Sequence, residues 1–177
     1  ERLKRLANGT LPWPWIDPDK ALPWVEKRIG LALAESQIAA IRLALISKVL
    51  VMTGGPGVGK TTIVRAILRI LAAKGVRLLL CAPTGRAAKR LTEATGFEAR
   101  TIHRLLEVDP RGGGFKRGDN NPLDCDLLVV DETSMVSLPL MAHLLDAVRH
   151  DASVVLVGDP GQLASVEAGS VLGDIAG

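Results

Sequence analysis

The residues with the clearest chemistry form a glycine-rich segment, which reads GGPGVGKTT from residue 54 onward. It fits the pattern G-x-x-x-x-G-K-T and lies between an apolar run at 49–52 and a helical pattern at 62–68. Glycines let the backbone curl until several N–H groups face an anion, and the following helix N-terminus adds partial positive charge. The spacing predicts a phosphate-binding loop for a nucleoside triphosphate; the alternative is a glycine-rich turn without a ligand.

Two side chains of this loop have specific expected roles. Lys60 is placed to reach the β- and γ-phosphates, and the Thr61 hydroxyl is placed to hold Mg²⁺. The residues expected to contact the nucleotide are Gly55, Pro56, Gly57, Val58, Gly59, Lys60, Thr61 and Thr62.

A pair of acidic residues, Asp131 and Glu132, directly follows the apolar run 127–130. Carboxylates at the carboxyl end of a parallel strand lie at the ligand edge of the sheet, beside the phosphate loop. Asp131 would hold Mg²⁺ through water, and Glu132 would be the base that orients and deprotonates the attacking water. The pair favours hydrolysis over a kinase or a nucleotide switch, whereas the structural alternative is a helix cap.

A second polar site, GDPGQL, follows the apolar run 154–157 and contains Gln162. A neutral amide at the γ-phosphate can report whether that phosphate is present without adding negative charge. Gln162 would serve this purpose if its strand lies between the strand at 49–52 and the strand before Asp131. That strand order is taken from ATP motors.

The elements that must position these residues alternate between strand and helix after residue 49. Apolar runs that are separated by helical patterns are typical of a parallel sheet covered on both faces. The predicted strands are 49–52, 76–82, 126–130 and 153–157, and the predicted helices are 35–46, 62–68, 85–94, 101–106 and 138–148.

The first 32 residues differ from the rest of the chain. Residues 11–18 are rich in proline and carry two of the three tryptophans, which predicts an extended linker. Those tryptophans are expected to pack on the core, and stacking on bases is the alternative. A short helix is predicted from Pro23 to Ile29, with Gly30 as its stop.

Composition and cysteine usage limit the class of protein. The chain has 177 residues, 47% of them hydrophobic, and no apolar run near the roughly 20 residues that span a membrane. Cys81 and Cys125 fit no metal or redox spacing, which indicates reduced core cysteines in a cytoplasmic protein. The chain has no signal peptide pattern and no initiator Met, so a fragment of a longer protein is expected.

Positive charge is concentrated between Lys74 and Arg104. This segment holds seven basic and two acidic residues, although the net charge of the whole chain is only +3. On charge alone a solvated surface is the favoured interpretation of such a run, and a polyanionic partner is the alternative.

Five strings, taken together and in order, extend beyond the phosphate loop. They are GGPGVGKTT, LCAPTGRAAKRL, ARTIHRLLE, DLLVVDETSMV and VVLVGDPGQLASVEAG. The set resembles the RecD-like DNA helicases of superfamily 1, which include the alpha subunit of exodeoxyribonuclease V and its stand-alone relatives. The resemblance covers residues 33–177 and implies a RecA-like motor domain there, with 1–32 as a linker and short helix from a preceding region.

The resemblance assigns roles at the nucleotide site. Gln37 matches the glutamine that reads adenine, which implies ATP as the fuel. Lys60, Thr61, Asp131, Glu132 and Gln162 match the phosphate, Mg²⁺, water and γ-phosphate residues. The family commonly has Ser or Thr where this chain has Ala34, so the start of the helix that carries Gln37 is expected to be less well fixed.

The resemblance also implies contacts with single-stranded DNA. Pro83, Thr84 and Arg86 fall in one DNA-contacting motif, and Thr101 and His103 fall in the next. Without the family, His103 reads as a helix cap or a surface residue. The basic excess would then face a phosphate backbone, held with little aromatic stacking because aromatic residues are few.

The polar segment 107–122, EVDPRGGGFKRGDNNP, interrupts the alternation of strands and helices. A disordered surface loop is the default interpretation, and a protruding β-hairpin is the alternative. The RecD-like helicases carry a small hairpin at this place that splits the duplex.

The implied function is that of the first motor domain of an ATP-dependent helicase that moves 5′ to 3′ on single-stranded DNA. A second motor domain of the same chain would complete it, and a nuclease–helicase complex is a possible setting. The isolated fragment is expected to be inactive. A P-loop kinase and a nucleotide-gated binding module are the alternatives.

Overall fold

The computed structural model describes residues 1–54 and 59–159. Its strands are β1 (Val49–Thr53), β2 (Leu78–Ala82), β3 (Ala99–Thr101), β4 (Leu127–Val130) and β5 (Ser153–Gly158). Its helices are α1 (Arg2–Ala7), α2 (Pro18–Ile29), α3 (Glu35–Ile46), α4 (Lys60–Ala73), α5 (Gly85–Thr95), α6 (Ile102–Leu106) and α7 (Leu138–Asp146). A short 3₁₀ turn covers Thr133–Met135.

The five strands form one parallel sheet in the order β1-β5-β4-β2-β3. All residues of β4 and β5 are buried, as expected for central strands covered on both faces. The predicted α/β class with a mostly parallel sheet is therefore confirmed. The strand order assumed for Gln162 is also observed, because β5 lies between β1 and β4.

Helices cover both faces of the sheet, and each face has its own apolar cluster. One cluster joins residues of α2, α3, α4 and α5 to the sheet, with Ile41, Ile67 and Leu91 among its members. The other joins residues of α1, α6 and α7, with Leu6 and Leu144 among its members. Because all five strands are parallel, their carboxyl ends lie at one edge of the sheet, where the loops that carry polar residues begin.

The first 32 residues are more regular than the sequence predicted. Helix α1 was not expected, and α2 begins at Pro18 instead of Pro23. Asp17 caps α2 by accepting a hydrogen bond from the Asp19 N–H, and Pro18 occupies the first turn, where a missing N–H costs nothing. Pro23 is exposed on the outer surface of this helix. Gly30 ends the helix in a left-handed conformation, as predicted.

The proline-rich segment contributes to the core through one tryptophan. Trp13 is buried, and its indole N–H donates to the Leu45 carbonyl at 3.0 Å. Trp15, by contrast, is 74% exposed. The expected packing of the tryptophans on the core thus holds for Trp13 but not for Trp15.

The other element boundaries differ little from the prediction. Helix α3 begins and ends at the predicted residues, and β1, α4, β2, α5, β4, α7 and β5 occur at the predicted places. The three-residue strand β3 was missed because it is too short to show a pattern. Cys81 and Cys125 are buried free thiols, and burial raises the pKa of Cys125 to about 12.

The segment 107–122 contains two isolated antiparallel bridges. Val108 pairs with Phe115 around the glycines, and Gly118 pairs with Asn121 around Asp119-Asn120. Phe115 packs between the rings of His103 and His143, at centroid distances of 5.8 and 5.3 Å. The segment is therefore a bent loop that packs on the domain through Phe115. Its role at a duplex stays a prediction.

None of the helices in residues 1–54 and 59–159 has the length and apolar character needed to cross a membrane.

Candidate nucleotide and DNA site

The phosphate loop joins β1 to α4, and the structure describes its two ends. Gly59 precedes α4 with φ of 77°, a left-handed conformation that favours glycine. A Cβ at Gly59 would lie 2.4 Å from the Gln37 Nε2 atom, so a larger residue would also collide with that side chain. The predicted nucleotide contacts of Gly55, Pro56, Gly57 and Val58 lie outside the described residues.

Lys60, the first residue of α4, holds the ends of two neighbouring strands. Its Nζ donates to the carbonyl of Gly54, after β1, and to that of Gly158, at the end of β5, at 3.2 Å for the latter. These strand ends form the ligand edge of a parallel sheet. The Lys60 amine therefore lies at the edge of the sheet where the sequence predicts that the phosphates bind.

Asp131 follows β4, and its side chain is half-buried. Burial raises the pKa of Asp131, against the opposing effects of the Glu132 N–H, Lys60 and Arg90. Its Oδ1 accepts the Glu132 N–H at 2.8 Å. A half-buried carboxylate that carries a desolvation cost fits a cation ligand, because a bound cation offsets that cost.

Glu132 has an unusual backbone conformation for a residue with a side chain, with φ of 51° and ψ of 44°. Such conformations cost energy and occur most often where function requires them. Its side chain does not cap the 3₁₀ turn that follows, contrary to the structural alternative. Instead its Oε1 accepts a hydrogen bond from Arg90 Nη2 at 3.2 Å.

A cleft of about 550 Å³ joins these residues. Its lining consists of Thr61, Ala87, Arg90, Leu91, Glu93, Ala94, Asp131 and Glu132. The structure thus brings the two predicted Mg²⁺ residues and the predicted base to one cavity between α4, α5 and the end of β4. In the described residues no group of three or more His, Cys, Asp or Glu side chains has an arrangement that could hold a metal ion.

Arg90 is a residue of this cleft that the sequence did not single out. It lies in the string RAAKRL, four residues after Arg86. Because residues four apart share a helix face, this spacing was the available signal. The contact with Glu132 depends on α5 packing beside β4, which the string itself does not show.

Gln37 combines two contacts near the loop. Its Oε1 accepts the Ala34 N–H at 2.9 Å, so its own side chain binds a free donor at the start of α3. This contact partly replaces the cap that Ala34 lacks, and the helix start is better fixed than expected. With Nε2 beside Gly59, Gln37 lies against the loop, and its reading of adenine stays a prediction.

The predicted DNA residues lie at the carboxyl ends of β2 and β3. Thr84 and Thr101 also cap α5 and α6, accepting the N–H groups of Ala87 and Arg104 at 3.1 and 3.2 Å. Thr84, Arg86 and His103 are exposed, whereas Pro83 and Thr101 are half-buried. Helix capping is sufficient to explain why threonines occupy these two positions, so contact of this set with DNA stays a prediction.

Part of the basic segment is available for an anionic partner. Arg86, Lys89 and Arg104 are exposed and form no ion pair within the described ranges, whereas Arg100 pairs with Glu98 at 3.2 Å. Arg86 and Lys89 lie in the first half of α5 and Arg104 lies in α6, the helices that follow β2 and β3. Gln162, the predicted γ-phosphate residue, lies outside the described residues.

A RecA-like P-loop domain is the class that this sheet order and this edge define. The family described as AAA domain matches residues 37–168. The chain belongs to this family, and its relatives place it with the RecD-like DNA helicases.

Two named relatives and one solved structure illustrate the similarity. The chain is 46% identical over 182 residues to "RecBCD enzyme subunit RecD" of Mycolicibacterium smegmatis, a match that covers 89% of this chain and 33% of that protein. It is 44% identical over 170 residues to "ATP-dependent RecD2 DNA helicase" of Deinococcus radiodurans, covering 96% of this chain and 24% of that protein. The fold matches the Pif1 helicase of Candida albicans with a TM-score of 0.57 at 22% identity, covering 77% of this chain and 34% of that one. The chain thus spans a quarter to a third of the two sequence relatives.

Asp131→Asn should raise the thermal unfolding midpoint near neutral pH when nucleotide and Mg²⁺ are absent. The folded state raises the pKa of Asp131, so protonation stabilises the fold, and this contribution is lost as pH rises through the folded pKa. Asn keeps an oxygen for the Glu132 N–H and carries no charge.

Addition of Mg²⁺ and ATP should then raise the midpoint of the wild type but not that of Asp131→Asn. Thermal unfolding with and without the ligands measures both effects. An equal ligand-induced shift in the two proteins would contradict the metal role of Asp131.

Proposed function

We propose that this chain is the first motor domain of an ATP-dependent DNA helicase, which couples ATP hydrolysis to 5′–3′ movement on single-stranded DNA and to duplex unwinding. One observation carries the proposal. The cleft with Asp131 and Glu132 lies at the carboxyl end of β4, and the predicted DNA residues follow the carboxyl end of the adjacent strand β2. A nucleotide and a DNA strand would therefore lie along one edge of one sheet.

The nucleotide side of the proposal assigns each residue a task. Lys60 neutralises phosphate charge, and Gln37 contacts the adenine from the start of α3. Thr61 and Asp131 would hold Mg²⁺, which supplies charge neutralisation on the phosphates when bound. Glu132 orients the attacking water and accepts its proton.

The DNA side relies on charge and exposure. Arg86, Lys89 and Arg104 can each bind backbone phosphates, because no carboxylate of the described residues competes for them. Backbone contacts of this kind do not read sequence. We therefore propose binding of single strands without base preference, and of duplex junctions through the loop 107–122.

The wider setting is also a proposal. One relative is named a subunit of the RecBCD enzyme, and another is named a helicase in its own right. We propose that the parent of this chain supplies a second motor domain that closes over the nucleotide. Its setting is either a nuclease–helicase complex or stand-alone action in the cytoplasm.

An ATPase assay with and without single-stranded DNA tests the proposed function. The longer parent chain should hydrolyse ATP, and DNA should stimulate that rate, because the two sites share an edge. A kinase would instead transfer phosphate to an added acceptor, and a binding module would bind ATP without steady hydrolysis. A DNA-independent rate in the parent chain, abolished by Lys60→Ala, would contradict the coupling to DNA.

Arg86→Ala should weaken single-strand binding and flatten its dependence on salt. Each phosphate contact on a single strand contributes about 0.7 to the slope of log affinity against log salt, so the slope should fall by about that amount. Fluorescence anisotropy at several salt concentrations measures both quantities.

Arg42→Ala is the matched control, because Arg42 pairs with Asp19 at 2.8 Å on a remote helix surface. It should leave the affinity and the slope as they are. If Arg86→Ala and the wild type had the same affinity and the same salt slope, Arg86 would be a solvated surface residue without a role in DNA binding.

A further inference from the structure

Arg90 links the DNA side of the domain to the predicted base. Its guanidinium lies on α5, and its Nη2 donates to Glu132 Oε1 at 3.2 Å. The Arg90 side chain is 64% exposed and that of Glu132 is 23% exposed, so the pair lies at the mouth of the cleft. The cation is within reach of a ligand that arrives from solvent.

Helix geometry places Arg90 and Arg86 on the same face of α5. Four residues correspond to about one helical turn, or about 6 Å along the axis. Side chains on a helix lean toward its N-terminus, which for α5 is the carboxyl edge of the sheet. Arg90 therefore extends toward Arg86 and the end of β4, and a phosphate chain bound at Arg86 would pass within reach of it.

The contact constrains the predicted base. The carboxylate oxygen that accepts from Arg90 is directed toward the guanidinium and away from other donors. The backbone of Glu132 is held in its left-handed conformation before the 3₁₀ turn, so only side-chain rotation is needed to free the carboxylate. An exposed ion pair is weak enough for a competing anion to break it.

We propose that Arg90 is a positioning residue that restrains Glu132 until a phosphate of single-stranded DNA binds its guanidinium. Guanidinium groups bind phosphate with two parallel hydrogen bonds, so the backbone competes well with a single contact to a carboxylate. DNA binding on α5 then releases the base at the end of β4. This inference rests on the proposed function, because it assumes hydrolysis by Glu132 and DNA on α5.

Removal of Arg90 should uncouple hydrolysis from DNA. In the longer parent chain, Arg90→Ala should raise the rate without DNA by about two- to fivefold, the range that an exposed ion pair allows. The ratio of DNA-stimulated to basal rate should fall by the same factor. Arg90→Lys should keep part of the restraint, and Arg42→Ala should change neither rate.

Two outcomes of this assay would overturn the inference. An unchanged basal rate in Arg90→Ala would show that the pair does not restrain Glu132. A lower basal rate would show that Arg90 assists the reaction directly. If the wild type shows no DNA stimulation at all, the proposed function fails first, so the two failures are distinguishable.

A binding measurement without hydrolysis provides the second test. Because coupling between two sites is reciprocal, Glu132→Gln should tighten single-strand binding about two- to fivefold when no nucleotide is present. The same substitution in an Arg90→Ala background should leave affinity unchanged, since the competition is gone. If Glu132→Gln tightened binding equally in both backgrounds, the cause would be the loss of a negative charge near the DNA. The proposed competition between Glu132 and DNA for Arg90 would then be wrong.

Discussion

Glu132→Gln should bind ATP normally and hydrolyse it about 10²–10⁴ times more slowly than the wild type, the range that general bases contribute. Glutamine keeps the shape of the side chain and its place at the end of β4, but its amide cannot accept a proton from water. The phosphate loop and Lys60 are unchanged, so affinity should be preserved. Single-turnover hydrolysis and nucleotide binding, measured on the longer parent chain, separate the two effects.

Lys60→Ala is the matched control for this prediction. Its Nζ contacts the ends of β1 and β5, so the substitution removes charge from the phosphate site and should abolish nucleotide binding. The pair of variants thus separates affinity from turnover. A normal rate in Glu132→Gln would remove Glu132 from the role of base and leave its strained backbone unexplained.

The core of the fold could be predicted from the sequence because its strands are continuous apolar runs. Such runs, separated by helical patterns, fit few arrangements other than a covered parallel sheet. The position of β5 between β1 and β4 did not follow from the runs themselves. It came from resemblance to ATP motors, and the register of β5 with both neighbours now shows it.

The errors near the N-terminus have local causes. Pro23 indicated a helix start, yet Asp17 and Pro18 supply the stronger cap and first turn. Helix α1 is six residues long, too short for a periodic pattern, and tertiary contacts of Leu6 stabilise it. The cap at Asp17 was thus a local signal for α2 that the prediction overlooked, whereas α1 depends on its packing against the sheet.

The candidate site shows the same division between local and tertiary information. Thr61, Asp131 and Glu132 could be found from motifs, because strand and loop chemistry places them at one edge. Arg90 could not, because its meaning depends on which strand end lies beside α5. Likewise, the place of Phe115 between two histidines depends on how the loop 107–122 folds back.

Residues 1–177 expressed alone should fold and bind nucleotide weakly, but should hydrolyse ATP about 10³–10⁵ times more slowly than the longer parent chain. An arginine on the γ-phosphate contributes a rate factor of that size in phosphoryl transfer. In the described part of the chain, the arginine that lines the cleft is Arg90, and its guanidinium is directed to Glu132. Among the described residues both apolar clusters already include strands and helices of each face of the sheet, which is why we expect the segment to fold.

The comparison requires the segment and the longer chain to be assayed side by side, each with and without single-stranded DNA. The segment matches a quarter to a third of its named relatives, and we expect an arginine from a second motor domain of the parent chain to act on the γ-phosphate. Lys60→Ala in both proteins shows how much of each rate comes from a contaminating ATPase. DNA-stimulated hydrolysis by the segment at the rate of the longer chain, abolished by Lys60→Ala, would show that its own residues suffice. Arg90 would then be the first candidate for the cation that acts on the γ-phosphate, since it alone among the described arginines lines the cleft.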